Sequence, residues 1–206
     1  MKGKFITFEG TEGSGKTSVI KEVRKHYEEQ GYQVMVTREP GGIAISEKIR
    51  DILLNKENTE MDPRTEALLF AAARRQHLVE KIKPALEKNM IVLCDRFVDS
   101  SLIYQGYARN IGIDKVYEIN YFAIEDALPD LTIFVNVRPE VGLKRVFQTP
   151  NREVNRLDLE NMDFHRMIYK GYLELTEKYD RIKMVNGEQA IDKVAKEAIT
   201  LIDKIL

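Results

Sequence analysis

The sequence predicts an open, doubly wound α/β fold in which a five-stranded parallel sheet is flanked by helices on both faces. Three observations carry that prediction. Short β-rich runs alternate with longer helical patterns along the whole 206 residues. The runs are continuously apolar, as strands covered on both faces are, where a half-exposed strand would alternate. Polar residues also gather directly after the first three runs, at the strand ends where such sheets bind ligands.

The five runs are "KFITFE" (4–9), "QVMVTR" (33–38), "MIVLCD" (90–95), "LTIFVNV" (131–137) and "IKMVN" (182–186). Between them, apolar residues recur at helical spacing over about 15–30, 44–55, 64–88, 114–127, 139–147, 158–179 and 188–205. Pro84 falls inside the third pattern and predicts a kink or a new helix start there. No internal repeat, low-complexity tract or Gly/Ser linker divides the chain, so 1–206 reads as a single domain. The least regular stretch, "FQTPNREVNR" (147–156), is polar and basic and reads as a mobile surface segment.

Composition narrows the partners. With 32 Lys and Arg against 33 Asp and Glu, the formal charge of -1 gives no global attraction to nucleic acid or anionic lipid, so any anion binding must be local. The N-terminus "MKGKFITFEG" lacks a signal-peptide apolar core and no stretch approaches a membrane span, which makes the cytoplasm the expected address. The single cysteine, Cys94, excludes an internal disulfide and reads as a buried structural thiol within its apolar run.

The segment "GTEGSGKT" (10–17) matches G-x-x-x-x-G-K-[ST] between a strand and a helix, the setting of a phosphate-binding loop, and so points to a P-loop NTPase. Gly10, Thr11, Glu12, Gly13, Ser14, Gly15, Lys16 and Thr17 are the ATP-binding candidates. The glycines let the backbone turn its N–H groups toward phosphate, Lys16 reaches the β and γ phosphates, and Thr17 offers its hydroxyl to Mg²⁺. The guanine-reading N-K-x-D and D-x-x-G segments of a nucleotide switch do not occur. The third strand ends in Asp95 and Arg96 where a motor ATPase usually has an acidic pair, and an arginine there suggests that a second anion enters the site.

Taken together, "FEGTEGSGKT", "TREPGG" (37–42), "LLFAAARRQHL" (68–78), "DRFVDSSLIYQGYAR" (95–109) and "NRLDLENMDFH" (155–165) resemble the thymidylate kinase family in its bacterial form. The resemblance implies transfer of the γ-phosphate of ATP to dTMP, with Mg²⁺, in a homodimer with a lid over about 142–156. Arg38 and Arg96, at strand ends, suit the acceptor phosphate, as matching arginines do in the family. Phe70 resembles the stacking residue, and Arg74 and Gln105 resemble the base-edge readers. Phe70 and Arg74 stand four apart on one helix and so face the same side. Tyr104 resembles the residue that crowds the 2′ position. Ser100 and Ser101 are placed along the same pocket, and Arg50 near the base or phosphate. Phe97 departs from the family, which often has tyrosine there.

For catalysis, Asp95 either holds Mg²⁺, directly or through water, or orients the acceptor phosphate, with a structural aspartate paired to Arg96 as the plainer alternative. No general base is required, because the attacking group is already a phosphate oxygen. Glu12 is expected to turn away from ATP and accept a hydrogen bond from the acceptor's 3′-hydroxyl, with Glu39 as helper. The loop has no arginine beside Glu12, so the resemblance assigns the catalytic cation to the lid, where Lys144, Arg145, Arg152 and Arg156 lie. Arg152 and Arg156, four apart, would project together from a helical lid. The segment "VNGEQ" (185–189) is placed by topology near adenine. Two other readings stay open at this point: another small-phosphate kinase of the same fold, and a phosphate-loop module whose output is a conformational change.

Overall fold

The strand order follows from the crossovers. In a computed structural model, which describes residues 3–149 and 154–206, β1 (Lys4–Glu9), β2 (Val34–Arg38), β3 (Ile91–Asp95), β4 (Leu131–Asn136) and β5 (Ile182–Asn186) form one parallel sheet in the order β2-β3-β1-β4-β5. β1 is central, and its register sets Phe8 beside Asp95, which in turn lies beside Arg38. The polar residues that end β1, β2 and β3 therefore meet along one edge, the sheet's carboxyl side.

Alternate residues of each strand serve the two faces. Ile6, Phe8, Leu93, Ile133 and Val135 share a core with Val19 and Val23 of α1 (Lys16–Glu29) and Val194 and Ala198 of α9 (Ile191–Ile202). On the opposite face Phe5, Val92, Cys94 and Phe134 are buried under α2 (Ala44–Leu54), α3 (Pro63–His77), α4 (Lys83–Glu87), α5 (Val98–Ser101), α6 (Ile113–Ile124) and α8 (Met162–Lys178), while α7 (Pro139–Gln148) follows β4. Cys94 is fully buried, burial pushes its thiol pKa well above the usual range, and its Sγ donates to the Arg96 carbonyl at 3.1 Å.

Local chemistry fixes the helix ends. Asp62 caps α3 by accepting from the amides of Arg64 and Thr65, with Pro63 at the first position, where its missing N–H costs nothing. Asn161 caps α8 through Phe164 N. Before Pro84 the helix widens into a π-turn, Leu78–Ile82, which absorbs the lost donor, and α4 starts afresh at Lys83. One helical stretch carried no clear sequence signal: α5 runs on into a π-helical segment, Leu102–Ala108. Serines, a glycine and the side chains of Tyr104, Gln105 and Tyr107 blur its periodicity. Gly106 lies there because a methyl at that point would stand 3.0 Å from the Ile113 Cα.

A buried charge ties the second face to β4. Asp99, with no exposed surface, accepts from Arg181 Nη1 at 2.7 Å, from Arg181 Nη2 at 2.6 Å and from Thr132 Oγ1 at 3.0 Å. Arg181→Ala leaves this carboxylate buried without its cation and should lower stability by about 3–5 kcal/mol; the shift of the urea unfolding midpoint measures it.

Candidate active site

The phosphate loop is built by glycines in conformations other residues resist. Gly13 and Gly15, at φ 69° and 89°, bend the chain so that α1 begins at Lys16 with its free amides facing outward. Lys16 Nζ lies over the loop, donating at 3.3 Å to the carbonyls of Gly10 and Thr11 and to Ser14 Oγ. Burial and the neighbouring Arg96 lower its pKa to about 8, against the opposing pull of Asp95, Glu12 and Glu9. The loop also touches α7 backbone to backbone. A methyl on Gly142 would stand 2.1 Å from the Glu12 carbonyl oxygen, and one on Gly13 would stand 2.0 Å from the Gly142 carbonyl.

Beside the loop, Thr17 Oγ1 donates to Asp95 Oδ2 at 2.8 Å. Arg96 follows with a backbone φ of 68°, unusual for a residue with a side chain. What holds it is Glu9. Its buried carboxylate accepts from the amides of Phe97 at 2.8 Å and Ser100 at 3.3 Å, from Ser100 Oγ at 2.6 Å and from Tyr172 Oη at 2.8 Å. Burial, together with Asp99, raises the Glu9 pKa. The Arg96 side chain then reaches Ser100 Oγ at 3.1 Å and Glu12 Oε1 at 3.0 Å.

Glu12 points out of the loop toward Arg96, Tyr104 and His165. Its Oε1 accepts from Arg96 and, at 2.6 Å, from Tyr104 Oη, while Oε2 stands 3.5 Å from His165 Nδ1 on α8. Burial pushes the Glu12 pKa up, but Arg96, His165, Tyr104 and Lys16 outweigh it and hold the carboxyl at about 2.

The opposite wall is one face of α3. Glu66, Phe70 and Arg74 recur every four residues and lie one above another. Arg74, 1% exposed, is immobilised by Glu39 Oε2 at 2.7 Å, Ser101 Oγ at 3.0 Å, the Phe97 carbonyl at 3.0 Å and a short contact to Asn120 Oδ1. Glu39 is fixed in turn by His77 Nδ1 at 3.0 Å. Its oxygens are thus engaged with Arg74 and His77, so that it braces the part of the cleft wall it lines. Gln105 Nε2 donates to Glu66 Oε1 at 2.7 Å. Arg38 is half exposed and pairs with Glu47 at 3.0 Å, and Arg50 donates to the Pro40 carbonyl at 3.1 Å. The Phe97 ring meets Phe5 edge-on at 4.9 Å and lies 5.2 Å from the Arg74 guanidinium, so apolar packing occupies the position where the family often has a hydroxyl.

These groups line a single cleft of about 840 Å³. Glu12 through Thr17, Arg38, Glu39, Arg50, Phe70, Arg74, Asp95, Arg96, Ser100, Ser101, Tyr104 and Gln105 all border it. Gln189, Ala190 and Ile191 close its other end, near the segment that topology placed by adenine. Arg145, read as one of the lid's basic residues, sits on α7 at this end, bonded to the Gly187 carbonyl at 3.2 Å.

Arg156 departs from expectation. It does not border the cleft: it is 9% exposed, donating to the Leu53 carbonyl at 3.1 Å and to Glu66 Oε2 at 2.5 Å. A buried carboxylate behind the wall attracts it more strongly than solvent at the cleft mouth. Of the expected lid, 142–148 belongs to α7, and Arg152 lies outside the described residues. Sequence reasoning also missed the parts played by Glu9, Glu66, Tyr172, Asn120 and His165. Glu9 was legible only as a polar end to the first strand, and Glu66 only in its four-residue spacing from Phe70.

A phosphate loop at one part of a cleft that is also lined by an aromatic ring and a braced guanidinium is the architecture of a P-loop nucleotide-binding protein. The family profile described as "Thymidylate kinase" matches residues 8–198. Relatives named thymidylate kinase from Bacillus cytotoxicus and Bacillus mycoides are each 58% identical, with all of this chain and all of theirs aligned. The crystal structure of thymidylate kinase from Ehrlichia chaffeensis superposes with a TM-score of 0.79 at 31% identity, covering 98% of this chain and 99% of that one. The chain belongs to the thymidylate kinase family.

The Glu12 pKa fixes a sign. A carboxyl held at about 2, against 4.5 ordinarily, contributes stability that is complete above pH 4.5 and disappears as pH falls toward 2, on the order of 3 kcal/mol in all. The stability difference between wild type and Glu12→Gln should therefore shrink as pH falls from 5 toward 3 in urea titrations; a difference independent of pH in that window contradicts the pairing.

Proposed function

We propose that the chain is an ATP-dependent dTMP kinase, transferring the γ-phosphate of ATP to dTMP to give dTDP for dTTP synthesis. The observation that carries this reading is Glu12: a carboxylate inside a phosphate loop, turned out of it and held by Arg96 and Tyr104 of the acceptor side.

ATP lies with its β and γ phosphates against the loop amides and Lys16, and its adenine toward Arg145, Gln189 and Ala190. The acceptor's thymine stacks on Phe70, with Arg74 and Gln105 at its edge. Its sugar meets Glu12 and Tyr104, the tyrosine ring crowding a 2′ substituent, and its phosphate meets Arg96 and Arg38. A dTMP phosphate oxygen bonds to the γ phosphorus as the bond from that phosphorus to the β–γ bridging oxygen breaks, and the leaving charge stays on ADP. No proton needs to be removed from the nucleophile, so the side chains position and compensate charge. The Thr17 hydroxyl and the Asp95 carboxylate, adjacent hard oxygen donors at the rim of the cleft, fit Mg²⁺. Bound there, Mg²⁺ supplies charge neutralisation of the phosphates. Arg152 is the lid cation that stabilises the transferring group; Arg156, engaged with Glu66, is assigned an anchoring role.

Two copies pair through α2, α3 and α6, which lie side by side and expose Ile45, Ile52, Leu68, Tyr121 and the nearly bare Phe122, an apolar set that a second subunit would cover. The substrates are small molecules, nucleic acid is not among them, and no helix of the described residues is long and apolar enough to cross a membrane. The cytoplasm, where ATP is abundant, is the proposed setting.

Rates with dTMP, dUMP, dCMP and thymidine, each with ATP and Mg²⁺, test the assignment. The highest kcat/KM is expected for dTMP; slow ATP hydrolysis indifferent to any monophosphate would indicate a switch module instead. Arg152→Ala should lower kcat by about 10²-fold or more while the dTMP Kd from calorimetry changes little. The reverse pattern would make Arg152 a substrate clamp.

A further inference from the structure

Behind the base-edge amide of Gln105 stands a carboxylate whose part so far is only to anchor Arg156. Glu66 is 1% exposed. Its Oε1 accepts from Gln105 Nε2 at 2.7 Å, and its Oε2 accepts from Arg156 Nη2 at 2.5 Å and Arg109 Nη2 at 3.5 Å. Arg109 is itself held by Glu160 and lies 4.5 Å from the Phe164 ring, so the two guanidiniums that fix Glu66 come from different segments of the chain.

An amide side chain can present either its oxygen or its nitrogen to a partner, and the choice is made by its other neighbours. A carboxylate can only accept. With Glu66 behind it, Gln105 must turn its nitrogen toward the carboxylate and its Oε1 toward the cleft. The opposite orientation would set a carbonyl oxygen against a buried negative charge with no donor between them. The wall of the cleft at this point is therefore a fixed hydrogen-bond acceptor.

We propose that Glu66 is a positioning residue that, through Gln105, makes the acceptor pocket select pyrimidines carrying an N3–H over those whose N3 is itself an acceptor. Thymine and uracil have that N–H; cytosine offers a lone pair, which would face the Gln105 oxygen. Arg74, a donor, discriminates independently at position 4, where thymine has a carbonyl and cytosine an amino group. Selection against cytosine is thus divided between two side chains on the same face of α3, one reading directly and one through Gln105. Phe70, between them, holds the ring in the plane where both readings operate. The inference rests on the reading of Gln105 as a base contact.

The test is kcat/KM for dTMP, dUMP and dCMP, with ATP and Mg²⁺, in wild type, Glu66→Gln and Gln105→Leu. A glutamine at 66 can donate or accept, which frees Gln105 to turn its nitrogen to cytosine. The dCMP-to-dTMP ratio of kcat/KM should rise about tenfold in Glu66→Gln, the size expected when one unmatched buried hydrogen bond is relieved. The dUMP-to-dTMP ratio should stay constant, since both bases carry N3–H. If Glu66 only supports the fold, all three rates fall together and the ratios do not move, which overturns the proposal. Should Glu66→Gln not fold, the pair Glu66→Gln with Arg156→Met replaces the buried ion pair by neutral groups and should give the same ratio change. Gln105→Leu separates the two levels of inference. It should lower kcat/KM for dTMP and narrow the gap to dCMP, whereas unchanged values for both would remove Gln105 from the base and leave the kinase assignment standing.

Discussion

The arrangement depends on one buried carboxylate. Glu9 ends the central strand, where a polar side chain would otherwise face the apolar underside of α5 and α8, and four donors from those elements converge on it. In accepting two backbone amides it fixes the turn after β3, and that turn is where Arg96 takes a left-handed backbone conformation which side chains ordinarily avoid. The strain is sustained because neighbouring residues are over-determined. Arg96 is consequently aimed at Glu12, and Glu12 is turned out of the loop toward Tyr104. A charge in the core thus sets, through Arg96, the direction of a charge in the cleft.

The α3 side of the cleft follows the same logic on a helix. At four-residue spacing α3 stacks Glu66, Phe70 and Arg74, and each polar member is braced from behind: Arg74 by Glu39, which is fixed by His77, and Glu66 by Arg109 and Arg156. Ionic groups buried this deeply contribute little net stability, since desolvation offsets most of their attraction. Their value here is directional. A guanidinium with four fixed partners cannot change rotamer when a ligand arrives, so less conformational entropy is lost on binding.

Much of this was legible in the sequence, for reasons that can be named. Apolar runs such as "MIVLCD" have no helical periodicity to compete with, and the loop motif fixes a strand before it and a helix after it. Residues at strand ends, Arg38, Asp95 and Arg96, could be assigned to the cleft because parallel topology brings those ends together. The partners of the second layer were not legible. Glu66, Asn120 and Tyr172 acquire their meaning from partners 39 to 163 positions away, and no local pattern encodes that pairing. Arg156 shows the same limit from the other side: its spacing from Arg152 suggested a shared helical face, but a carboxylate from α3, 90 positions earlier, decides its place. The helical stretch after β3 escaped because its residues are chosen for the cleft they line, at the expense of a clean apolar stripe.

The seam between the phosphate loop and α7 has a mechanical consequence. Where Gly13 meets Gly142 no side chain intervenes, and the two backbones lie closer than any methyl would permit. Interlocked side chains act like gear teeth: one surface moves past another only by jumping between rotamers. A bare contact has no such steps. α7, which carries Arg145 at one end of the cleft, therefore rests on the phosphate loop along a seam that has no rotamers to lock it, only the spacing of two backbones.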